Sequence, residues 1–300
     1  MITECNICPR GCKVDRSAKR GFCGASDGIS VSRISLHQWE EPPISGTNGS
    51  GTVFFTGCNL RCVFCQNRVI SSDKGAFSNA RRLSVKELAD AMLRLQELGA
   101  HNINLVTPTH FVPQIAEALS LAKPNLSIPV VYNSSGYESV SSLKLLEGLV
   151  DVYLPDLKYF SPELSAKYSA AADYFEVASA AIREMHRQVE KNEFSGELMV
   201  KGVIVRHLVL PGCRRDSIEL LGALSSLLPV GEIKLSLMRQ FTPDFVDGEK
   251  YPELCRRVTT FEYNSVLKRA GELGFDGYSQ AAESAVSAYT PDFNSPEAFI

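Results

Sequence analysis

Three cysteines at C-x3-C-x2-C spacing, Cys58, Cys62 and Cys65, follow directly on the β-forming run Gly51-Thr52-Val53-Phe54-Phe55. A strand must therefore deliver three thiols to one tight loop. Cys thiolates are the usual ligands of 4Fe–4S clusters, and three of them hold three irons of a cubane. The fourth iron then has no cysteine from this loop and is open to a substrate or cofactor. That pattern points to catalysis rather than electron storage; a zinc knuckle or three unrelated thiols is the plain alternative.

Of nine cysteines in 300 residues, seven precede residue 66 and only Cys213 and Cys255 follow. Two tight groups of this kind fit metal binding in a reducing compartment better than a disulfide framework. The start, Met1-Ile2-Thr3-Glu4-Cys5, lacks a basic-then-apolar leader, and no apolar run has the length of a membrane span. A cytoplasmic location is expected, and the three glycosylation sequons beginning at Asn48, Asn125 and Asn133 are then chance matches. The 31 Lys and Arg against 34 Asp and Glu leave a formal charge of −3, so no overall positive field attracts nucleic acid. With 44% hydrophobic and 22% charged residues, the chain can bury one large core.

After Cys65 the sequence alternates short β-rich runs with helical patterns, the signature of stacked βα units. Strands are predicted at Gly51–Phe55, Asn102–Val106, Pro129–Tyr132, Asp151–Leu154, Met199–Arg206 and Ile233–Leu237. Ser84 and Glu87 form a capping-box pattern opening a helix whose apolar face is Leu88, Met92 and Leu95, with Gly99 placed to end it. Further helical segments are Ala171–Lys191 and the stretch after Val258. The expected fold class is α/β, a partial (β/α)6 barrel of TIM type behind a small Cys-rich metal-binding N-terminal segment. The turn-rich loop Glu40–Gly46 divides residues 1–45 from the barrel of residues 46–300. An incomplete barrel leaves a lateral opening that admits a large substrate, and its chemistry belongs at the C-terminal strand ends.

Those strand ends exit into polar residues: Thr107 and Thr109, Asn133, the pair Asp156 and Lys158, and His207. Asn133 reads equally as a site residue or as part of a turn. Asp156 and Lys158 project from the same side of a strand end, as ligand contacts or as a salt bridge closing the barrel. Arg206 competes with His207, because alternation allows only one of the two to face inward. Gln240 is a weaker candidate. Cys213 and Cys255 read as passive, and Arg214-Arg215 and Arg256-Arg257 as solvated charge.

Upstream, Cys5, Cys8, Cys12 and Cys23 are spaced C-x2-C-x3-C-x10-C, a complete four-thiolate set suited to a closed structural site. Zinc and an auxiliary Fe–S cluster both fit it, with the short Cys-Pro and Cys-Gly segments leaning towards zinc. Either metal would contribute folding energy to a segment too short to build its own core.

Taken together, these segments resemble the radical S-adenosylmethionine (SAM) proteins related to the pyruvate formate-lyase activating enzyme. The resemblance runs through Cys5-x2-Cys8-Pro9-Arg10-Gly11-Cys12, Glu40–Gly46, Cys58–Asn67, Asn104–Phe111, Asn133–Tyr137, Tyr153–Tyr159, Arg206–Gly212 and Ser236–Gln240. It implies a 4Fe–4S cluster on Cys58, Cys62 and Cys65, with Phe64 at an aromatic position common in such loops. It also implies that SAM chelates the open iron and is cleaved reductively to methionine and a 5′-deoxyadenosyl radical that abstracts hydrogen. Asp156 and Lys158 match an Asp-x-Lys segment whose Lys contacts the SAM carboxylate. Thr107 and Thr109 stand where such proteins usually carry a Gly-Gly-Glu-like segment receiving the SAM amino group, which is a departure from the pattern. Asn133 and His207 complete the expected cofactor contacts. A one-electron donor such as a flavodoxin or ferredoxin is implied, and the target is a glycyl radical enzyme, or else a peptide or small molecule. A non-catalytic Fe–S or zinc-binding module is the contrasting class, disfavoured by the open-iron spacing and the polar strand ends.

Overall fold

The computed structural model describes residues 2–71, 75–281, 284, 291–293, 295 and 298–300. Its strands are β1 (Ile29–His37), β2 (Ser50–Phe55), β3 (Arg81–Leu83), β4 (Ile103–Val106), β5 (Val130–Ser134), β6 (Val152–Pro155), β7 (Glu193–Ser195), β8 (Leu198–Leu208), β9 (Lys234–Met238) and β10 (Gly277–Ser279). They form a sheet in the order β10-β9-β8-β6-β5-β4-β2-β1-β3, with β7 hairpinned onto β8. From β2 to β10 all neighbours on this path are parallel, while β1 runs antiparallel to both β2 and β3. The six predicted strands are β2, β4, β5, β6, β8 and β9. The short β10 adds a seventh parallel strand that sequence patterning did not expose.

Helices Val85–Glu97, Val112–Ala122, Tyr174–Val189, Arg214–Leu227 and Thr260–Glu272 connect these strands. The first begins as its sequence dictates: Ser84 Oγ accepts from Glu87 N–H, and the Glu87 carboxylate accepts from Ser84 N–H. Leu88, Met92 and Leu95 are its buried stripe, and Gly99 leaves the helix at φ +84°.

Successive strand residues face opposite ways, so each parallel strand must bury two faces. Val53, Leu105, Tyr132, Tyr153, Val203 and Val205 pack in the main core. On the opposite face Val131, Val152, Leu154 and Ile204 cluster with Ile44 and Met199 inside the barrel. Ile44 reaches them because the Glu40–Gly46 loop folds under the barrel, where Asn102 Nδ2 donates to Ile44 O at 2.6 Å. The loop expected to mark a boundary thus closes the N-terminal floor of the barrel, and β1 before it belongs to the barrel sheet.

Close backbone approach fixes the opposite end. Gly136 has φ +76°, and a Cβ there would lie 2.1 Å from Asp156 O. Only glycine lets the turn after β5 pass the chain leaving β6. Gly136→Ala is expected to lower the unfolding free energy by about 2–4 kcal/mol, from a left-handed backbone plus a displaced strand end. Urea titration of variant and wild type checks this, and equal midpoints would contradict it.

Candidate active site

β2 ends at Phe55 and the chain turns through Gly57, whose φ of +92° brings it against the N-terminal segment. A Cβ at this glycine would stand 2.4 Å from Cys23 O. The loop that follows presents Cys58, Cys62 and Cys65 to one cavity of about 640 Å³, which Phe64 also lines. All three are free thiols, and each sulfur has a hydrogen-bonding neighbour. Leu60 N–H donates to Cys58 Sγ at 3.4 Å, Ser169 Oγ donates to Cys62 Sγ at 3.0 Å, and Ser71 Oγ lies 3.3 Å from Cys65 Sγ. Burial pushes the Cys58 and Cys65 thiols up, so without a cation beside them they stay protonated. A bound metal supplies that positive charge. Phe64 is buried edge-on against Phe241, 5.9 Å between ring centroids, which anchors the loop between its last two cysteines.

Across the cavity a charged layer fills the barrel. Asp156 stands at its centre, with Lys158 Nζ at 2.6 Å from one carboxylate oxygen and Arg206 Nε at 2.9 Å from the other. Arg206 also donates to Asn133 Oδ1 at 2.6 Å and to Glu40 Oε2 at 3.4 Å. Glu40 is held from the other side by Asn104 Nδ2 at 3.0 Å and Asn133 Nδ2 at 3.2 Å. Burial acts on all three acids. At Glu40 and Glu41 it raises the carboxyls above their usual range, and Arg206 offsets only part. At Asp156 burial is outweighed by Arg206 and Lys158, which hold the carboxyl below its usual range. Lys158 is likewise penalised by burial, yet the Asp156 carboxylate holds its pKa above the ordinary value.

The cavity brings together Cys58, Cys62, Cys65, Phe64, Thr107, Asn133, Asp156 and Lys158, with Gln240 also on its wall. Two expected contacts lie elsewhere. Thr109 is fully buried at the start of a 3-10 turn, where strand alternation has ended, and its hydroxyl donates to Glu138 at 2.5 Å. His207 faces the helices, with Nδ1 2.7 Å from Leu157 O and Nε2 2.9 Å from Ser217 Oγ. The carbonyl can only accept, so Nδ1 carries the proton, and burial pushes the pKa down to about 4, keeping the ring neutral. His207 therefore steadies the backbone between Asp156 and Lys158 from behind, and Arg206 takes the inward place. Glu40 and Glu41 escaped sequence reasoning; their one cue is an acid pair wedged between a strand and Pro42-Pro43.

The N-terminal cysteines pack against the loop. Cys5, Cys8 and Cys23 are buried and Cys12 is half-buried, all as free thiols. Arg10 locks this segment down by donating to Asn59 O at 2.8 Å and Ala170 O at 2.5 Å while stacking on Phe22. Among the described residues, no three His, Cys, Asp or Glu side chains stand at the spacing of a single metal ion.

Residues 52–212, more than half of the chain, match the family model of the radical SAM superfamily. The chain belongs to the radical SAM superfamily. Membership implies cleavage of SAM at an Fe–S cluster to a radical, and the three-thiol loop facing the cavity fits such a cluster. An uncharacterised protein of Methanocaldococcus jannaschii is 31% identical over 285 residues, covering 92% of this chain and 77% of that one. A second uncharacterised protein of the same organism is 26% identical over 168 residues, covering 52% and 49%. A mutant of spore photoproduct lyase superposes with a TM-score of 0.50 at 12% identity, over 75% of this chain and 74% of that one, a likeness of fold. No helix among the described residues is long and apolar enough to cross a membrane.

Arg206→Met should leave Glu40 buried without its cation and Asp156 with Lys158 alone, and lower stability by about 3–5 kcal/mol in urea unfolding. A loss under 1 kcal/mol would mean, by the same reasoning, that water screens this layer.

Proposed function

We propose that this chain reduces SAM at a cluster held by Cys58, Cys62 and Cys65 and uses the resulting radical to take hydrogen from an organic substrate. The observation that carries the reading is one cavity shared by the three thiols and the Asp156–Lys158 pair. When bound, the reduced cluster supplies the electron that breaks the C5′–S bond of SAM. The chain's own residues bind and orient. Lys158 offers a charge-assisted contact to the SAM carboxylate, and Asp156, kept ionised by Arg206, offers one to the amino group. Thr107 and Asn133 add polar contacts on the same wall, and the enclosing strands limit water.

Two targets follow from this chemistry. Installation of a glycyl radical on a partner protein rests on the Asp156 and Lys158 match to the activating enzymes. Modification of a peptide side chain or small molecule draws support from the enclosed polar floor at Glu40 and Glu41, a shape and volume typical of small-ligand sites. A flavodoxin or ferredoxin is the proposed electron donor, and the cytoplasm the proposed location.

The N-terminal set is proposed as a structural metal site, zinc or an auxiliary Fe–S cluster. Its placement against Gly57 means that whatever it holds stiffens the catalytic loop from behind.

Anaerobically reconstituted protein should bind SAM and release 5′-deoxyadenosine on reduction, and any single Cys58, Cys62 or Cys65→Ala variant should lose that cleavage. Full activity in one of them would overturn the reading. Lys158→Ala should keep the iron chromophore but weaken SAM binding about tenfold or more, read by equilibrium titration; unchanged affinity would make Lys158 purely structural. In the triple cysteine variant, metal analysis separates the two N-terminal candidates. About one zinc with nearly no iron indicates a four-thiolate zinc site, and about four irons with a visible absorption indicates an auxiliary cluster.

A further inference from the structure

The barrel floor holds more acceptors than the chain's own donors satisfy. Among the described residues lining the cavity, three acids, Glu40, Glu41 and Asp156, face two cations, Lys158 and Arg206. Lys158 pairs with Asp156 and has its remaining donors assigned to the SAM carboxylate, and Arg206 divides its donors among Asp156, Asn133 and Glu40. Glu41 is left over. Its Oε2 lies 4.0 Å from Arg206 Nη1, too long for a hydrogen bond, and has no partner although the side chain is only 7% exposed. Behind Glu40, Asn104 gives its amide N–H to that carboxylate, and its Oδ1 is also buried without a partner. A buried polar atom left unpaired costs roughly 1–3 kcal/mol, and more when charged.

We infer that Glu41 recognises a cationic nitrogen of the substrate, an alkylammonium or guanidinium group seated on the barrel floor beside Glu40. Of the two unpartnered atoms, Glu41 Oε2 belongs to a residue that lines the cavity, and it is a carboxylate acceptor, so the missing group is a donor. A hydroxyl brings one donor, an ammonium three and a guanidinium five. Burial favours the neutral form of the Glu41 carboxyl, and a cation seated beside its unpartnered oxygen favours the ionised one, so the site gains more from a positively charged donor than from a neutral hydroxyl. The inference rests on the proposed hydrogen abstraction, because the same cavity runs on to Cys58, Cys62 and Cys65. A nitrogen anchored on the floor leaves the carbon chain that carries it to extend towards that loop. The class so defined contains a lysine or arginine side chain of a peptide and small amines.

The test uses the full-length, anaerobically reconstituted protein with its cluster oxidised, so that no turnover occurs. Butylammonium and butylguanidinium are titrated with and without saturating SAM, with 1-butanol as neutral isostere and potassium chloride as inorganic control. Binding is followed by calorimetry and by fluorescence of Trp39, the single tryptophan, which lines the cavity. The expected result is that at least one organic cation binds saturably in the presence of SAM, that 1-butanol does not, and that Glu41→Gln weakens the cation about tenfold or more. The wild-type arms decide on their own if the variant folds poorly. Binding of 1-butanol as tight as that of the cations, displacement by equimolar potassium, loss of binding once SAM is saturating, or no cation binding at all each overturn the proposal. They would point respectively to an apolar pocket, an inorganic cation site, the amino group of SAM itself, and ordered water. Equal cation affinity in a folded Glu41→Gln overturns it as well. Release of 5′-deoxyadenosine by the wild type, measured separately, shows whether the enzyme reading stands or falls apart from this one.

Discussion

The guanidinium of Arg206 is the tie on which the inner architecture depends. It extends from β8 and reaches Asp156 beyond β6, Asn133 on β5 and Glu40 on the floor loop, so one side chain links three strand ends to the base of the barrel. A lysine in its place would be a point charge unable to address three directions at once, whereas the planar fork fixes each angle. Buried ion networks are poor evidence of stability in themselves, since desolvating every member costs about as much as the pairing returns. What this one provides is position. Asp156 stays ionised, and Lys158 is presented beside it towards the cysteine loop.

Much of the barrel was legible because its strands are short runs buried on both faces, and two of the helices between them, Val85–Glu97 and Thr260–Glu272, open on capping boxes. Parity within β8 was not legible. Val203 and Val205 line up with His207, and Ile204 with Arg206, so both faces of the strand are apolar and the sequence carries no mark of which is inside. The sheet resolves it through the partners of each face: carboxylates and Asn133 await Arg206, while Leu157 O and Ser217 await His207. Thr109 fails for a different reason. The chain leaves β4 at Val106 and enters a 3-10 turn, so spacing from the strand no longer tells where a side chain points. Glu40 and Glu41 sit in a stretch whose turn-rich composition reads as a boundary loop. Here Ile44 pulls the segment into an apolar cluster and takes the acids with it.

Beyond the cavity, the two cysteine groups share a wall. The carbonyl of Cys23 occupies the space that a side chain at residue 57 would need, and Arg61 lies over the Phe22 ring at 4.2 Å. Arg10 adds hydrogen bonds from the N-terminal segment to the cysteine loop itself. A backbone shift in the N-terminal segment therefore reaches the Cys58 loop through direct contact rather than through a flexible linker. Residues 2–24 thus back the cysteine loop even though their thiols do not line the cavity.

The cavity exists because the barrel is incomplete. In a closed eight-stranded barrel, successive layers of inward side chains interdigitate and leave no room. Seven parallel strands here form an open sheet, and the lowest inward layer, Val131, Val152 and Ile204, is sealed by Ile44 from the floor loop. Above that seal the inward positions turn polar, with Asn133, Arg206 and Ser236 on three different strands. Polar side chains paired with one another cannot collapse to fill a lumen as aliphatic ones do, because each is held by the direction of its hydrogen bonds. The same pairing that keeps the space open also leaves Glu41 short of a donor. The features that make the lumen available to a ligand and those that select its charge thus arise from one layer of residues.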